Sequence, residues 1–132
     1  MNIVIDTNIL ISALIKDSTT RKILFESEME FYYPDVSLKE LQKHEKMILE
    51  KSGMTEEEYS KVLDDILLRV NIVQMELFKD KLWEASNLIG NIDADDVVFL
   101  AVALWINGFV WSEDKDFEKQ NKIKILKTKD LL

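Results

Sequence analysis

The chain has 132 residues, a formal net charge of −8 and a hydrophobic fraction of 47%. It contains no cysteine, which excludes disulfides, thiolate zinc sites and cysteine nucleophiles. No apolar stretch reaches the roughly 18 residues of a membrane span, and the N-terminus lacks the basic residues and cleavage site of a signal peptide. We therefore expect one domain over residues 1–132, in a soluble cytoplasmic protein without a membrane partner.

The negative charge is unevenly distributed. Residues 1–114 carry 11 basic and 22 acidic side chains, whereas residues 115–132 carry six lysines and three acids. The acidic majority disfavours tight binding to a phosphate backbone, unless divalent cations neutralise part of it. A lysine run is most often a solvated edge, but this one is also the best candidate in the sequence for contact with backbone phosphates.

The predicted elements alternate between strands and helices. Short apolar runs predict five strands, at residues 2–6, 30–33, 70–73, 109–112 and 123–126. Helical spacing of apolar residues predicts the segments between them: 8–15, 21–27, 37–51, 55–67, 78–89 and 97–106. Because no tight hairpin signal joins the strands, the pattern predicts a three-layer α/β/α fold with a five-stranded parallel sheet.

Several residues mark the predicted ends of these helices. Thr7 or Asn8 is the expected cap of the first helix, and Thr55 begins a capping box. The glycines of the chain all stand just past a helix end: Gly53, Gly90 and Gly108. No glycine therefore remains for a phosphate-binding loop.

Other kinds of active site are excluded by what the chain lacks. The only histidine is His44, so a two-histidine acid–base mechanism is impossible, and its place on an apolar stripe predicts partly buried packing. No Gly-x-Ser-x-Gly segment provides a serine nucleophile. Carboxylates are the functional groups that remain in surplus.

Acidic residues occur at four positions along the predicted fold. Asp6 ends the first strand, Glu40 lies in the first turn of a helix, and Asp96 begins the apolar helix. Asp114 and Asp116 follow the fourth strand. The carboxyl ends of strands one and four flank a crevice at one edge of a parallel sheet, so acids there can meet. Carboxylates without cysteine or histidine clusters suit hard cations such as Mg²⁺ or Mn²⁺.

Each acid also has a purely structural interpretation. Asp6 could serve only as a helix cap, and Glu40 could only complement a helix dipole. Asp93 and Asp96 have the spacing of a capping box, so Asp93 is the expected N-cap. The spacing leaves open whether Asp93 also takes part in a site. The acids after the fourth strand could occupy a solvated loop.

Taken together, the acidic motifs resemble those of the PIN domain, a family of small metal-dependent ribonucleases that includes toxins of prokaryotic toxin–antitoxin pairs. The similar segments are Ile-Val-Ile-Asp-Thr-Asn at residues 3–8, Ser-Leu-Lys-Glu-Leu at 37–41, Asp-Val-Val-Phe-Leu-Ala-Val-Ala at 96–103 and Trp-Ser-Glu-Asp-Lys-Asp-Phe at 111–117. The resemblance runs nearly end to end. In the fourth segment Ser112 replaces the commoner threonine and keeps the hydroxyl.

The resemblance implies a sheet in the order 3-2-1-4-5, an Mg²⁺ or Mn²⁺ cofactor, an RNA substrate, a homodimer and an antitoxin partner. It makes Asp6, Asp96 and Asp114 catalytic metal ligands, directly or through water. Glu40 becomes a ligand or a water-orienting catalytic base, and Asp116 an auxiliary metal ligand. The implied reaction is endonucleolytic hydrolysis of RNA by metal-activated water, leaving a 5′-phosphate and a 3′-hydroxyl.

Two other functions fit parts of the pattern. One is a PIN-like module that binds RNA or protein without cleaving it. The other is a phosphatase or a phospho-acceptor receiver-like domain, since both place acids at strand ends. A phosphatase requires Asp-x-Asp at the first strand, but here the third residue is Asn8. A receiver-like domain requires a lysine after its last strand, and Lys127 fits that position loosely.

Overall fold

The structure, a computed structural model, describes residues 1–16, 18–89 and 93–132. An all-parallel sheet with the strand order β3-β2-β1-β4-β5 lies at its centre. Its strands are β1 (Asn2–Ile5), β2 (Glu30–Pro34), β3 (Val70–Val73), β4 (Phe109–Trp111) and β5 (Ile125–Leu126). This confirms both the parallel sheet that the sequence pattern predicts and the strand order that the resemblance to PIN domains implies.

The α-helices in the described part of the chain are α1 (Thr7–Ile15), α2 (Thr19–Glu26), α3 (Leu38–Lys43), α4 (Glu45–Ser52), α5 (Glu56–Leu67), α6 (Met75–Phe78), α7 (Leu82–Ile89) and α8 (Ala94–Ile106). Short 3₁₀ turns cover Asp35–Ser37, Lys79–Lys81, Lys115–Lys119 and Thr128–Leu131. None of these helices has both the length and the apolar composition needed to cross a bilayer.

The helices cover both faces of the sheet, which confirms the three-layer architecture. Helix α8 packs on β1, β2 and β4, with α6 and α7 against it. On the other face, α1 contacts α2, α3, α4 and α5. The middle strand β1 is covered from both sides, so its residues Ile3, Val4 and Ile5 are completely buried. A strand of this kind is continuously apolar because neither of its faces meets water.

The register of β1 and β4 determines where the acids emerge. Ile5 lies beside Trp111 in the pairing of these strands. The next residues, Asp6 and Ser112, therefore leave the sheet side by side at its carboxyl edge. β1 connects to β2 on one side and β4 to β5 on the other, so the chain diverges there and leaves a crevice.

The sequence prediction of the first helix cap was wrong. The cap of α1 is Asp6, not Thr7 or Asn8, and the Asp6 Oδ1 atom accepts the amide N–H of Ile9 at 2.9 Å. Asp6 can both cap the helix and face the crevice because a carboxylate has two oxygens. The capping box at Thr55 is confirmed.

Two predicted helices are interrupted in the structure. The segment predicted at residues 37–51 divides at His44, whose Nδ1 atom is 2.8 Å from the carbonyl oxygen of Glu40. In a continuous helix the amide N–H of His44 would donate to the Glu40 carbonyl oxygen, but here it donates to the carbonyl oxygen of Leu41 at 3.1 Å. The segment predicted at 78–89 begins earlier and divides at the Lys79–Lys81 turn. Its predicted end near Gly90 lies outside the described residues.

Gly108 provides a test of the contact between α8 and the sheet. A Cβ atom at this position would lie 2.5 Å from the carbonyl oxygen of Asn2 and 3.0 Å from Ile106 Cδ1. We expect Gly108→Ala to push β1 away and to lower the free energy of unfolding by about 1–3 kcal/mol, measured by urea denaturation.

A matched control for this substitution is Gly53→Ala. Gly53 has φ of +72° and open space around its Cβ position, so alanine there costs only the backbone preference, about 1–2 kcal/mol. An unchanged unfolding midpoint for Gly108→Ala would contradict the close approach described above.

Candidate active site

Asp6 and Ser112 form the buried floor of the crevice between β1 and β4. Only 4% of Asp6 is exposed and Ser112 is completely buried. The Ser112 hydroxyl donates a short hydrogen bond to Asp6 Oδ2, while Ile9 donates to Oδ1. Both carboxylate oxygens are therefore held in a fixed orientation, and each retains a lone pair for a further partner.

The chain after Ser112 forms a tight turn that presents two more acids. Ser112 Oγ accepts the amide N–H of Asp114 at 3.0 Å, and Asp114 Oδ1 accepts the amide N–H of Asp116 at 2.9 Å. Short polar side chains favour such turns because they bond to backbone N–H groups two residues on. Asp116 forms an ion pair with Lys119 at 3.0 Å, and its side chain is 50% exposed.

Asp96 approaches this turn from the first turn of α8. The N-cap of α8 is Asp93, as predicted, and its Oδ1 atom accepts the amide N–H of Asp95 at 3.0 Å. Since Asp93 caps the helix, Asp96 is available to face the crevice. The pKa of the Asp96 carboxyl is raised to about 6, mainly by burial and in part by the negative charge of Asp114.

A buried hydrogen-bonded chain connects Asp6 to the helix that carries Glu40. Tyr33, at the end of β2, donates its hydroxyl to the carbonyl oxygen of Ser37 at 2.8 Å. The Thr7 hydroxyl lies 2.8 Å from the same Tyr33 oxygen and can donate to it. Thr7 follows Asp6 directly and Ser37 immediately precedes α3. Tyr33 therefore fixes the position of α3, and with it Glu40, relative to the floor of the crevice.

The site accumulates negative charge. Burial raises the pKa of Asp6 from 3.8 to about 6, and the charges of Asp114 and Glu40 contribute to the rise. Burial also raises the pKa of Tyr33, with smaller contributions from Glu40 and Asp6. The carboxylates thus repel one another across the crevice, so a cation or protons would stabilise this arrangement.

The oxygen atoms fit the geometry of a hard divalent cation. Asp96, Asp114 and Asp116 each offer a carboxylate oxygen, and these three atoms lie within 4.8 Å of one another. Oxygen ligands bind Mg²⁺ at about 2.0–2.1 Å and Ca²⁺ at about 2.3–2.6 Å, so ligands of one ion are at most roughly 4–5 Å apart. The chemistry of the donors also suits such an ion, since all of them are oxygens.

The predicted site residues therefore fall into two groups. Asp96, Asp114 and Asp116 form the three-carboxylate cluster. Asp6 lies outside that cluster, and it and Glu40 act on the site through their charges. The expectation that Asp6 is a metal ligand stays a prediction, which its free lone pairs allow.

Sequence reasoning missed the role of Tyr33. Its position in an apolar strand is typical of core packing, and it is completely buried. A signal was nevertheless present, because a tyrosine in a central strand must find partners for its hydroxyl. The partners themselves, Thr7 and Ser37, could be identified only from the structure.

Two solved structures share this fold. One is the crystal structure of VapBC2 from Rickettsia felis bound to a DNA fragment from their promoter, with 19% identity, a TM-score of 0.66, and coverage of 96% of this chain and 98% of that chain. The other is a 2.2 Å structure of VapBC-1 from nontypeable Haemophilus influenzae, with 19% identity, a TM-score of 0.66, and coverage of 98% and 99%. At these identities the likeness concerns the fold alone.

Sequence comparison identifies the family. No curated protein matches the chain significantly. The family description that does match is the PIN domain, over residues 4–130, which includes the acidic residues of all four segments. Because this match spans nearly the whole sequence and agrees with the sheet order and the clustered acids, the chain belongs to the PIN domain family.

Proposed function

We propose that this chain is an endoribonuclease that depends on Mg²⁺ or Mn²⁺ and hydrolyses RNA phosphodiester bonds. The convergence of Asp96, Asp114 and Asp116 within 4.8 Å carries the proposal, since carboxylate oxygens this close together at the carboxyl edge of the sheet suit a hard cation. PIN domains are a family of nucleases, and the four acidic segments of that family are all present here. A cation bound in the cluster would polarise the scissile phosphodiester and lower the pKa of an attacking water.

Each side chain of the site has its own role in the proposed hydrolysis. Asp96, Asp114 and Asp116 hold the cation, and Asp6 contributes directly or through a water molecule. The hydrogen bonds from Ile9 and Ser112 fix the Asp6 carboxylate, so no reorganisation is required when the cation binds. Glu40 would orient the attacking water or accept its proton. The water oxygen bonds to phosphorus as the P–O3′ bond breaks, and the leaving O3′ takes a proton from solvent, so the products carry a 5′-phosphate and a 3′-hydroxyl.

We also propose a cellular context for this activity. The chain acts as the toxin of a toxin–antitoxin pair, in the cytoplasm and as a homodimer, and a partner antitoxin neutralises it. Similarity to chains from VapBC2 and VapBC-1 structures supports a protein partner. The alternative is a PIN-like module that binds RNA or protein without cleaving it, and the intact set of carboxylates favours cleavage over that role.

The cleavage proposal predicts metal-dependent cutting of single-stranded RNA. We expect the wild-type chain to cut with Mg²⁺ or Mn²⁺ and to stop when EDTA is added. Asp96→Asn should reduce the rate about 100-fold or more, because it removes a charged ligand from the cluster. Denaturing gel electrophoresis of an end-labelled RNA measures both rates.

Asp65→Asn is the control for that substitution. Asp65 is an exposed residue of α5, and the change removes the same charge without altering the site. Its rate should equal that of the wild type. Binding of RNA by the wild type without any cutting would favour the non-cleaving alternative instead.

A cation site also predicts stabilisation of the fold by metal. At a free Mg²⁺ or Mn²⁺ concentration one hundred times the dissociation constant, the free energy of unfolding should rise by about 2.7 kcal/mol. The rise should vanish in Asp114→Asn, which loses a central ligand. Thermal unfolding with and without each ion measures the effect, and an unshifted wild-type melting temperature would contradict the site.

The raised pKa of Asp6 predicts the pH dependence of stability without metal. The folded state holds a proton on Asp6 up to about pH 6, whereas the unfolded chain releases it near 3.8. The folded state therefore binds more protons in this range, and stability falls as the pH rises from 4 to 6. Two pKa units correspond to about 3 kcal/mol.

Asp6→Asn isolates this contribution. Asparagine keeps the helix cap but cannot ionise, so the variant should gain stability relative to the wild type as the pH rises from 4 to 7. Urea denaturation in EDTA at each pH measures the difference. A difference that stays constant over that range would show that the Asp6 charge is not destabilised by its surroundings.

A further inference from the structure

A cleft of about 340 Å³ is lined by Glu40 and by Asp95, the neighbour of Asp96 in α8. Helix α3 contributes Lys39, Glu40 and Lys43 to its lining, and Met75 and Val98 provide apolar surface. Because Glu40 is also a predicted site residue, and its charge raises the pKa of Asp6 and Asp96, the cleft lies next to the candidate site.

Two lysines of this cleft are well placed to meet phosphate groups. Lys39 and Lys43 are four residues apart on α3, so their side chains lie on the same side of the helix. Both are exposed, and within the described ranges neither forms an ion pair with a carboxylate. Glu40 and Asp95 also line the cleft, so Lys39 and Lys43 are the side chains in it that attract a phosphate.

The lysine-rich C-terminal segment is less available than the sequence suggests. Three of its six lysines form ion pairs: Lys119 with Asp116 at 3.0 Å, Lys122 with Glu84 at 3.2 Å and Lys127 with Glu118 at 3.8 Å. A second cleft of about 310 Å³ lies on the Asp114 side, and its described lining contains Glu113 but no lysine or arginine. The lysines that line a cleft at the site are therefore those of α3.

We infer that Lys39 and Lys43 bind the sugar–phosphate backbone of a single-stranded RNA and guide it into the acidic cluster. This inference rests on the proposed nuclease function, for which it names the substrate-binding residues. The apolar surface of Met75 and Val98 suits the faces of unstacked bases, which a duplex keeps inside its stack. Contacts of this kind position a strand without reading its sequence.

Removal of both lysines tests the inference. The double variant Lys39→Gln/Lys43→Gln is compared with Lys46→Gln/Lys51→Gln, which removes the same charge from exposed positions of α4. Both are made in an Asp96→Asn background, so that the RNA stays intact. Fluorescence anisotropy measures binding of a labelled single-stranded RNA in Mg²⁺ at several salt concentrations.

The expected result follows from counterion release. The slope of log K against log salt is negative, and loss of two phosphate contacts should make it less steep by about 1.4. Binding should weaken roughly 10- to 30-fold at 0.1 M salt. The α4 control should change binding far less. The loss should be the same for RNAs of different sequence and for single-stranded DNA, since backbone contacts carry the effect.

Other results would overturn the inference. Equal weakening in both double variants would show that net charge alone matters, and no weakening in the α3 variant would place the strand elsewhere. Absence of any RNA binding by the Asp96→Asn chain would also overturn it.

Failure of the nuclease proposal is distinguishable, because it is tested on the chain with Asp96 intact. RNA binding that depends on Lys39 and Lys43, without cutting by the wild type, would contradict the nuclease proposal and support the binding site. Cutting by the wild type, with RNA binding that does not depend on these lysines, would support the nuclease proposal and contradict the binding site.

Discussion

The parallel pairing of β1 with β4 is the constraint on which the candidate site depends. Ile5 and Trp111 lie side by side, so Asp6 and Ser112 meet although 106 positions separate them in the chain. A hydrogen bond between two buried groups forms at little entropic cost when the sheet already holds both. The turn that carries Asp114 starts from the same serine. The register of β1 and β4 therefore positions Asp6 and Ser112 as well as the beginning of the turn that carries Asp114.

The site concentrates negative charge in a partly buried place, and the fold has to compensate for it. Hydrogen bonds to Asp6 from a backbone amide and a serine hydroxyl lower its pKa, but burial raises it more. Repulsion from the other acids adds to the rise in Asp6 and Asp96. The site thus opposes folding at neutral pH until something positive enters it. In the proposed function, the same feature that costs stability would provide affinity for a divalent cation.

Much of this could be predicted from the sequence, for physical reasons. Buried parallel strands are continuously apolar, so β1 and β4 are recognisable, and an acid that ends such a run has to face an edge of the sheet. Competition between side chains and the backbone for hydrogen-bonding groups at helix ends could not be predicted in the same way. The imidazole of His44 forms a hydrogen bond with the carbonyl oxygen of Glu40, and the helix divides there although its apolar spacing continues. Asp6 rather than Thr7 caps α1 because the backbone of Asp6 is still extended at the end of β1 and its carboxylate reaches the Ile9 amide. Such choices depend on neighbours that only the folded chain provides.

The bridge through Tyr33 has a consequence for how tolerant the site is to sequence change. Helix α3 has six residues and, at that length, no stability of its own, so neighbouring segments hold it in place. The phenol attaches its beginning to β2 and to the first residue of α1. Tyr33, a buried residue of the sheet, thereby helps to set the position of the Glu40 carboxylate and of the Lys39 and Lys43 side chains beside it. Selection on the surface chemistry of this protein consequently extends into its core.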